Sequence, residues 1–290
     1  MPISHYPPEP PIEFPPARTV HVRGRGEFFL RDSGLFDSSS RLVVMLLHGW
    51  MASADLNWGA QYDDLIAAGY RVLAIDHRGH GRGLRPLTPF RLADCAADAA
   101  GVLRTLDLAP AIVVGYSMGG AITQLIARDH RDVASAIVLS GTAQHWREPE
   151  VQRTWKAMGA LGLALSVAPA RTWNAGFRRM RLPDNPRTAF LRSELLRHSA
   201  RDVAEAGREL SRFDSRPWLS GVNVPAAVVL TSRDSAVPPG KQHELAQALG
   251  ARVFDAPIDH MQIVTRARDY NPLLLQALAS LRTHADAQAA

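Results

Sequence analysis

The chain is short of several things, and each shortage narrows its class. Among 290 residues there is a single cysteine, Cys95. No intramolecular disulfide can form, so a reducing, cytoplasmic setting is expected. Cys95 lies in an alanine-rich helical pattern over 92–106, where a thiol serves as a small core group. Lysine is nearly missing: Lys156 and Lys241 are the only two, and all other formal positive charge is arginine. No apolar run reaches the roughly 18 residues that span a bilayer. No charged segment followed by an apolar stretch marks a signal peptide. The formal charge of +5 is also unevenly placed. Between Thr142 and Asn223 fourteen Lys and Arg stand against eight Asp and Glu, a local excess of +6 that leaves the rest at −1. Basicity confined to one segment argues against a nucleic-acid partner. It suits weak contact of that segment with a membrane surface.

What is present begins with proline: seven of the first 17 residues, giving an extended N-terminal arm over 1–17. Thr19–Arg23 and Glu27–Arg31 read as a hairpin around Gly24-Arg25-Gly26. After it, short apolar runs alternate with helical patterns. Strands are expected at Leu42–Leu47, Tyr70–Ile75, Ile112–Gly115 and Ala136–Leu139, with helices over Leu56–Ala68, Phe90–Leu106 and Ala121–Arg128. The rhythm stops over 142–223, a helical, arginine-rich stretch holding four of the six tryptophans. It includes a long helix expected over 187–213. The rhythm resumes with strands at Ala226–Thr231 and Arg252–Phe254 and helices over 240–249 and 261–281. Near-continuous apolar strands alternating with helices predict an α/β fold with a doubly wound, mostly parallel sheet. The core would be 18–141 and 224–290, with 142–223 a helical cap inserted after the sixth strand.

The chemistry centres on Gly115-Tyr116-Ser117-Met118-Gly119. An apolar strand runs into it and a small-residue helix leaves it, the context of a nucleophile elbow that lifts a serine hydroxyl above a sheet edge. A nucleophilic serine needs a base, a group to orient that base, and donors for the oxyanion. Asp234, just past one strand, and His260, just past the next, supply candidates in the order Ser, Asp, His. In a parallel sheet both loops open at the same carboxyl edge as the elbow. Asp255 and Asp259 are rival acids whose closeness to His260 in sequence suits surface or capping roles better. His48 fits a structural hydrogen-bonder. Asp76, His77 and His80 form no set with metal-ligand spacing on a helix or strand. The loop Gly79-x-Gly81-x-Gly83 lacks the spacing of a dinucleotide site. Neither metal nor cofactor is expected.

His48-Gly49-Trp50, the Asp76–Gly83 loop, Gly115–Gly119, Asp234-Ser235-Ala236-Val237-Pro238 and His260 together resemble the α/β-hydrolase family, in particular capped bacterial serine esterases and lipases. The resemblance runs from about Val20 to Leu281. It implies Ser117 as nucleophile, His260 as general base, Asp234 as its orienting acid, and the backbone N–H groups of Trp50 and Met118 as the oxyanion hole. Asp259 stands where the family often has Gly, and Gly83 where it often has Ser. A serine at the elbow argues against epoxide hydrolases and haloalkane dehalogenases, which use aspartate there. The expected function is hydrolysis of small-molecule carboxylic esters or lipids, thioesters being chemically close. C–C bond hydrolysis or cofactor-free perhydrolysis with the same triad is the alternative, and a hydrolase-like small-molecule receptor a further one. The apolar segment 157–170 suits a buried or interfacial helix; it would pack on the core or roof an acyl pocket through residues such as Leu163.

Overall fold

The computed structural model of the protein describes residues 6–10, 12–34, 42–149, 158–179 and 181–282. Its strands form where the apolar runs are: β1 (Ala17–Val22), β2 (Gly26–Asp32), β3 (Val43–Leu47), β4 (Arg71–Ile75), β5 (Ala111–Tyr116), β6 (Ala134–Ser140), β7 (Ala226–Thr231) and β8 (Arg252–Ala256). They make one eight-stranded sheet in the order β1-β2-β4-β3-β5-β6-β7-β8. β1 and β2 pair antiparallel, as do β2 and β4, and all the other pairs are parallel. Side chains alternate across the pleat. Met45, Leu47, Val113, Ile137 and Leu139 enter one apolar layer, and Val44, Leu46, Ile112, Val114 and Val138 the other. Burial on both faces explains why these strands read as unbroken apolar runs.

The helices are α1 (Ala54–Trp58), α2 (Tyr62–Ala67), α3 (Leu92–Thr105), α4 (Met118–Asp129), α5 (Met158–Val167), α6 (Pro169–Arg179), α7 (Pro186–Leu196), α8 (Ala200–Arg212), α9 (Pro239–Leu249) and α10 (Ala267–Ala279). α3, α4 and α9 cover the first layer, and α1, α2 and α10 the second. α5 to α8 lie between β6 and β7. α8 joins the first layer through Ala206 and Leu210.

Three expected helices are interrupted, each for a local reason. The one over 56–68 divides into α1 and α2 at a single 3-10 turn, Gly59–Gln61. The one over 187–213 divides at Ser199, whose side chain caps α8 by accepting from Asp202 N–H. The Ser199 N–H is diverted to Gly79 O (2.8 Å) instead of continuing α7. The terminal helix starts at Ala267 because His260–Gln262 is a separate 3-10 turn, closed by a capping box between Asp259 and Gln262. From the proline-rich N-terminal segment, Phe14 packs edge-on against Tyr62 and at 5.8 Å from the Phe190 ring on α7.

Candidate active site

β5 ends at Tyr116 and α4 begins at Met118, so Ser117 alone makes the turn. It does so at φ 53° and ψ −116°, a strained conformation that typically costs about 1–3 kcal/mol. The Ser117 N–H donates to Ser140 O (2.9 Å), and its carbonyl accepts from Gly120 N–H (2.9 Å) and the Thr142 hydroxyl (2.8 Å). The turn also needs backbone to touch backbone. A Cβ on Gly115 would lie 2.3 Å from Gly119 O, and one on Gly119 would lie 2.1 Å from Leu47 O.

The loops after β7 and β8 meet this turn. His260 Nε2 lies 3.1 Å from Ser117 Oγ, and His260 Nδ1 lies 2.7 Å from Asp234 Oδ2. A carboxylate only accepts, so Nδ1 carries the ring proton and Nε2 faces the serine with its lone pair. Asp234 is buried and tied down: Oδ1 accepts from the N–H groups of Ala236 (2.8 Å) and Val237 (2.7 Å), and Oδ2 from Thr231 Oγ1 (2.7 Å). Thr231 in turn accepts from Gln242 Nε2 at 2.9 Å. Tyr116 OH donates to the backbone carbonyl of His260 (2.5 Å). The two rival acids sit otherwise. Asp255 is exposed on β8. Asp259 accepts from Ser235 Oγ (2.8 Å) and Met261 N–H (3.4 Å). Partial burial tends to raise its carboxyl pKa, but the Ser235 and backbone donors outweigh that and hold it below the ordinary value. Asp259 thus fastens the Asp234 loop to the His260 loop.

The loop after β3 lies against the elbow. A Cβ on Gly49 would come within 3.3 Å of Ser117 Cβ, and Gly49 N–H donates to Asn57 Oδ1 (2.8 Å). Trp50 follows Gly49, and Met118 follows Ser117, so the two backbone segments flanking the serine carry both N–H groups named for the oxyanion.

The profile of the alpha/beta hydrolase fold matches residues 43–267. The chain belongs to the α/β-hydrolase family. It is 38% identical over 124 residues to a non-heme chloroperoxidase of Streptomyces lividans, a match covering 42% of this chain and 44% of that protein. It therefore spans under half the length of that relative. It is 30% identical over 209 residues to the pimeloyl-[acyl-carrier protein] methyl ester esterase of Neisseria meningitidis, covering 68% of this chain and 76% of that one. Among solved structures it resembles the enol-lactonase from Burkholderia xenovorans, with TM-score 0.73 and 26% identity over 90% of this chain and all of that one.

In this α/β-hydrolase the glycine-rich loop after β4 is a socket. His48 Nε2 accepts from His77 N–H (3.0 Å), which leaves Nδ1–H to donate to Gly49 O (2.8 Å). His48 therefore fastens the ends of β3 and β4 together as a neutral ring. Asp76 accepts from the N–H groups of Ala54 and Arg82, both at 2.7 Å. Burial pushes its carboxyl up to about 6. The corner between α7 and α8 plugs into this loop. His198 Nδ1 accepts from Gly81 N–H (2.8 Å), and Glu194 accepts from Ser53 Oγ (2.8 Å) and Arg82 Nη2 (2.7 Å). The rings of His77, His48, His80 and His198 follow one another across the seam as tilted or edge-on neighbours, their centroids 4.3–5.5 Å apart. Among the described residues no group of His, Cys, Asp or Glu is arranged to hold a metal ion.

Sequence reasoning missed Tyr116, Thr231, Gln242 and Glu194 as supports. Only the position of Tyr116 inside the elbow motif could have pointed to any of them. Leu163, expected either against the core or over an acyl pocket, is not on the packed face of α5. Met158, Gly162 and Leu165 are the buried face of α5, while Leu163 (66% exposed) and Val167 (76%) face outward. Arg171, Arg178, Arg179 and Arg181, on and just after the next helix, are exposed too. No helix among the described residues is long and apolar enough to cross a membrane.

Proposed function

We propose that this protein is a carboxylic ester hydrolase acting through an acyl-serine intermediate. Ser117 Oγ attacks the ester carbonyl as His260 Nε2 takes its proton, and Asp234 balances the imidazolium that forms. The N–H groups of Trp50 and Met118 donate to the oxyanion of the tetrahedral intermediate. His260 then gives its proton to the departing alcohol. Water, deprotonated by the same imidazole, releases the acid and restores Ser117. One observation carries this reading: the unbroken relay from Ser117 Oγ through both nitrogens of His260 to a buried, fully bonded Asp234. Similarity to a methyl ester esterase and an enol-lactonase supports an acyl-transfer substrate. The test is a panel of p-nitrophenyl esters of increasing chain length, with Ser117→Ala as control. Hydrolysis lost in the variant supports the reading, and equal rates in both proteins reject it.

Similarity to a non-heme chloroperoxidase supports a second reading, in which hydrogen peroxide replaces water as acyl acceptor and a peracid leaves. The same panel with added peroxide separates the two. The segment 142–223 acts in this account as a cap over the core of 18–141 and 224–290. Its exposed Leu163 and Val167, with the exposed arginines of the same insertion, would rest weakly on anionic lipid.

A further inference from the structure

Trp50 offers more than its backbone. Its indole Nε1–H donates to the carbonyl of Val203 at 2.8 Å, a bond between residues 153 apart in sequence. The acceptor lies in the first turn of α8, on the helical insertion, and Val203 is fully buried. We infer that the Trp50 indole is a positioning group: it ties the loop carrying the proposed oxyanion donor to α8, so the insertion sets where that donor points. The inference rests on the esterase reading above and deepens it.

Three features make α8 a fixed post. Its N-terminus is held by Ser199 N–H on Gly79 O (2.8 Å). Its acidic face is held by Phe90 N–H on Glu205 Oε2 (2.6 Å). Ala206 and Leu210 are buried in the same apolar layer against which Trp50 packs. The loop needs such a post. His48 and Gly49 are bound to the core through His77 and Asn57, but at Met51 the backbone leaves with φ 56°, a left-handed turn in a non-glycine residue. Trp50 stands between the pinned half and the strained half. A bond that fixes its side chain to α8 limits how far its peptide can rotate. Rotation matters because an oxyanion donor works only when aimed at the charge that develops, and removing one donor lowers kcat by about 10²–10³-fold. Misplacement by about 1 Å has effects of similar size.

The competing role for the side chain is simple packing, and the two part on one atom. Site-specific replacement of Trp50 by 3-benzothienylalanine keeps the ring shape and puts sulfur where the N–H was. Positioning predicts a fall in kcat of about 10–100-fold. KM for a short ester should change less than about 3-fold, and a trifluoromethyl ketone that forms a tetrahedral adduct should bind weaker in step with kcat. Trp50→Phe, which loses ring area as well, should lose at least as much kcat. Unchanged kcat and ketone affinity in the sulfur isostere would overturn the inference while leaving the esterase reading intact. A wild-type protein that hydrolyses no ester would overturn both.

Discussion

Replacing the Asp234 carboxylate by an amide keeps the shape of the site but removes the charge that faces the imidazolium and favours the wrong ring tautomer. Asp234→Asn should therefore lower kcat by about 10³–10⁴-fold. Asp255→Asn, on an exposed strand residue, should change it by less than about 3-fold. Asp259→Asn is expected in between, because Asp259 fastens the Asp234 loop to the His260 loop through Ser235. Steady-state kinetics on one activated ester decides the order, and a crippled Asp259→Asn beside an active Asp234→Asn would reassign the acid. The same scale shows what a sequence can and cannot reveal. Ser117 was legible because the elbow needs small neighbours on both sides: Gly115 and Gly119 leave no room for a Cβ. Asp234 and His260 were legible because each follows a parallel strand. The supports were not, because Thr231, Gln242 and Tyr116 act through contacts between residues 3 to 144 positions apart that no motif encodes.

At the scale of elements, strand and helix placement follow from the apolar runs, whereas helix ends follow from tertiary hydrogen bonds. Nothing in 187–213 marks a break as strongly as Gly79 does by taking the Ser199 N–H from across the seam. Nor does composition tell which side of α5 is outside. Its residues are apolar nearly all round, and only packing on α8 selects Met158, Gly162 and Leu165 as the inner face. That leaves Leu163 and Val167 exposed, as are four arginines of the segment that follows. A Leu163→Asp, Val167→Asp double variant should lose sedimentation with anionic vesicles and keep kcat on a short soluble ester. Wild-type vesicle binding should itself fall between about 0.05 and 0.5 M salt, as screening of the arginines requires. Binding that is indifferent to both changes would remove the lipid-facing role.

At the scale of the whole molecule, the buried histidines link stability to pH. Burial, and the cost of charging one ring beside the others, hold His48 and His80 well below their ordinary range. Burial, with His80 and Arg78 nearby, brings His77 to about 3, and burial with Arg85 nearby brings His198 to about 4. Below the unfolded value of roughly 6.5 the unfolded chain takes up protons that the native rings refuse. Stability is therefore full above that pH and falls as pH drops toward 4. Each ring contributes up to about 1.4 kcal/mol per pH unit. Asp76 works in the opposite sense. With its carboxyl raised to about 6, the native state binds that proton first, which favours folding as pH falls through 6. Burial raises the Asp202 carboxyl as well, and two carboxyls against four imidazoles leave a net loss. Tm should hold between pH 7.5 and about 6.5 and then fall steadily to pH 4.5, and His198→Asn should flatten that fall; a Tm constant down to pH 4.5 would contradict the neutral-histidine seam. The seam also joins the insertion to the core beside the Ser117 loop, so fold and site stand on the same contacts. Their shared claim, that Ser117 is the nucleophile, is tested most directly by labelling with a fluorophosphonate and mapping the adduct by peptide mass spectrometry. One equivalent per chain on the Ser117 peptide, absent in Ser117→Ala, is the predicted result. Labelling at a different serine, or full ester hydrolysis by Ser117→Ala, would contradict it.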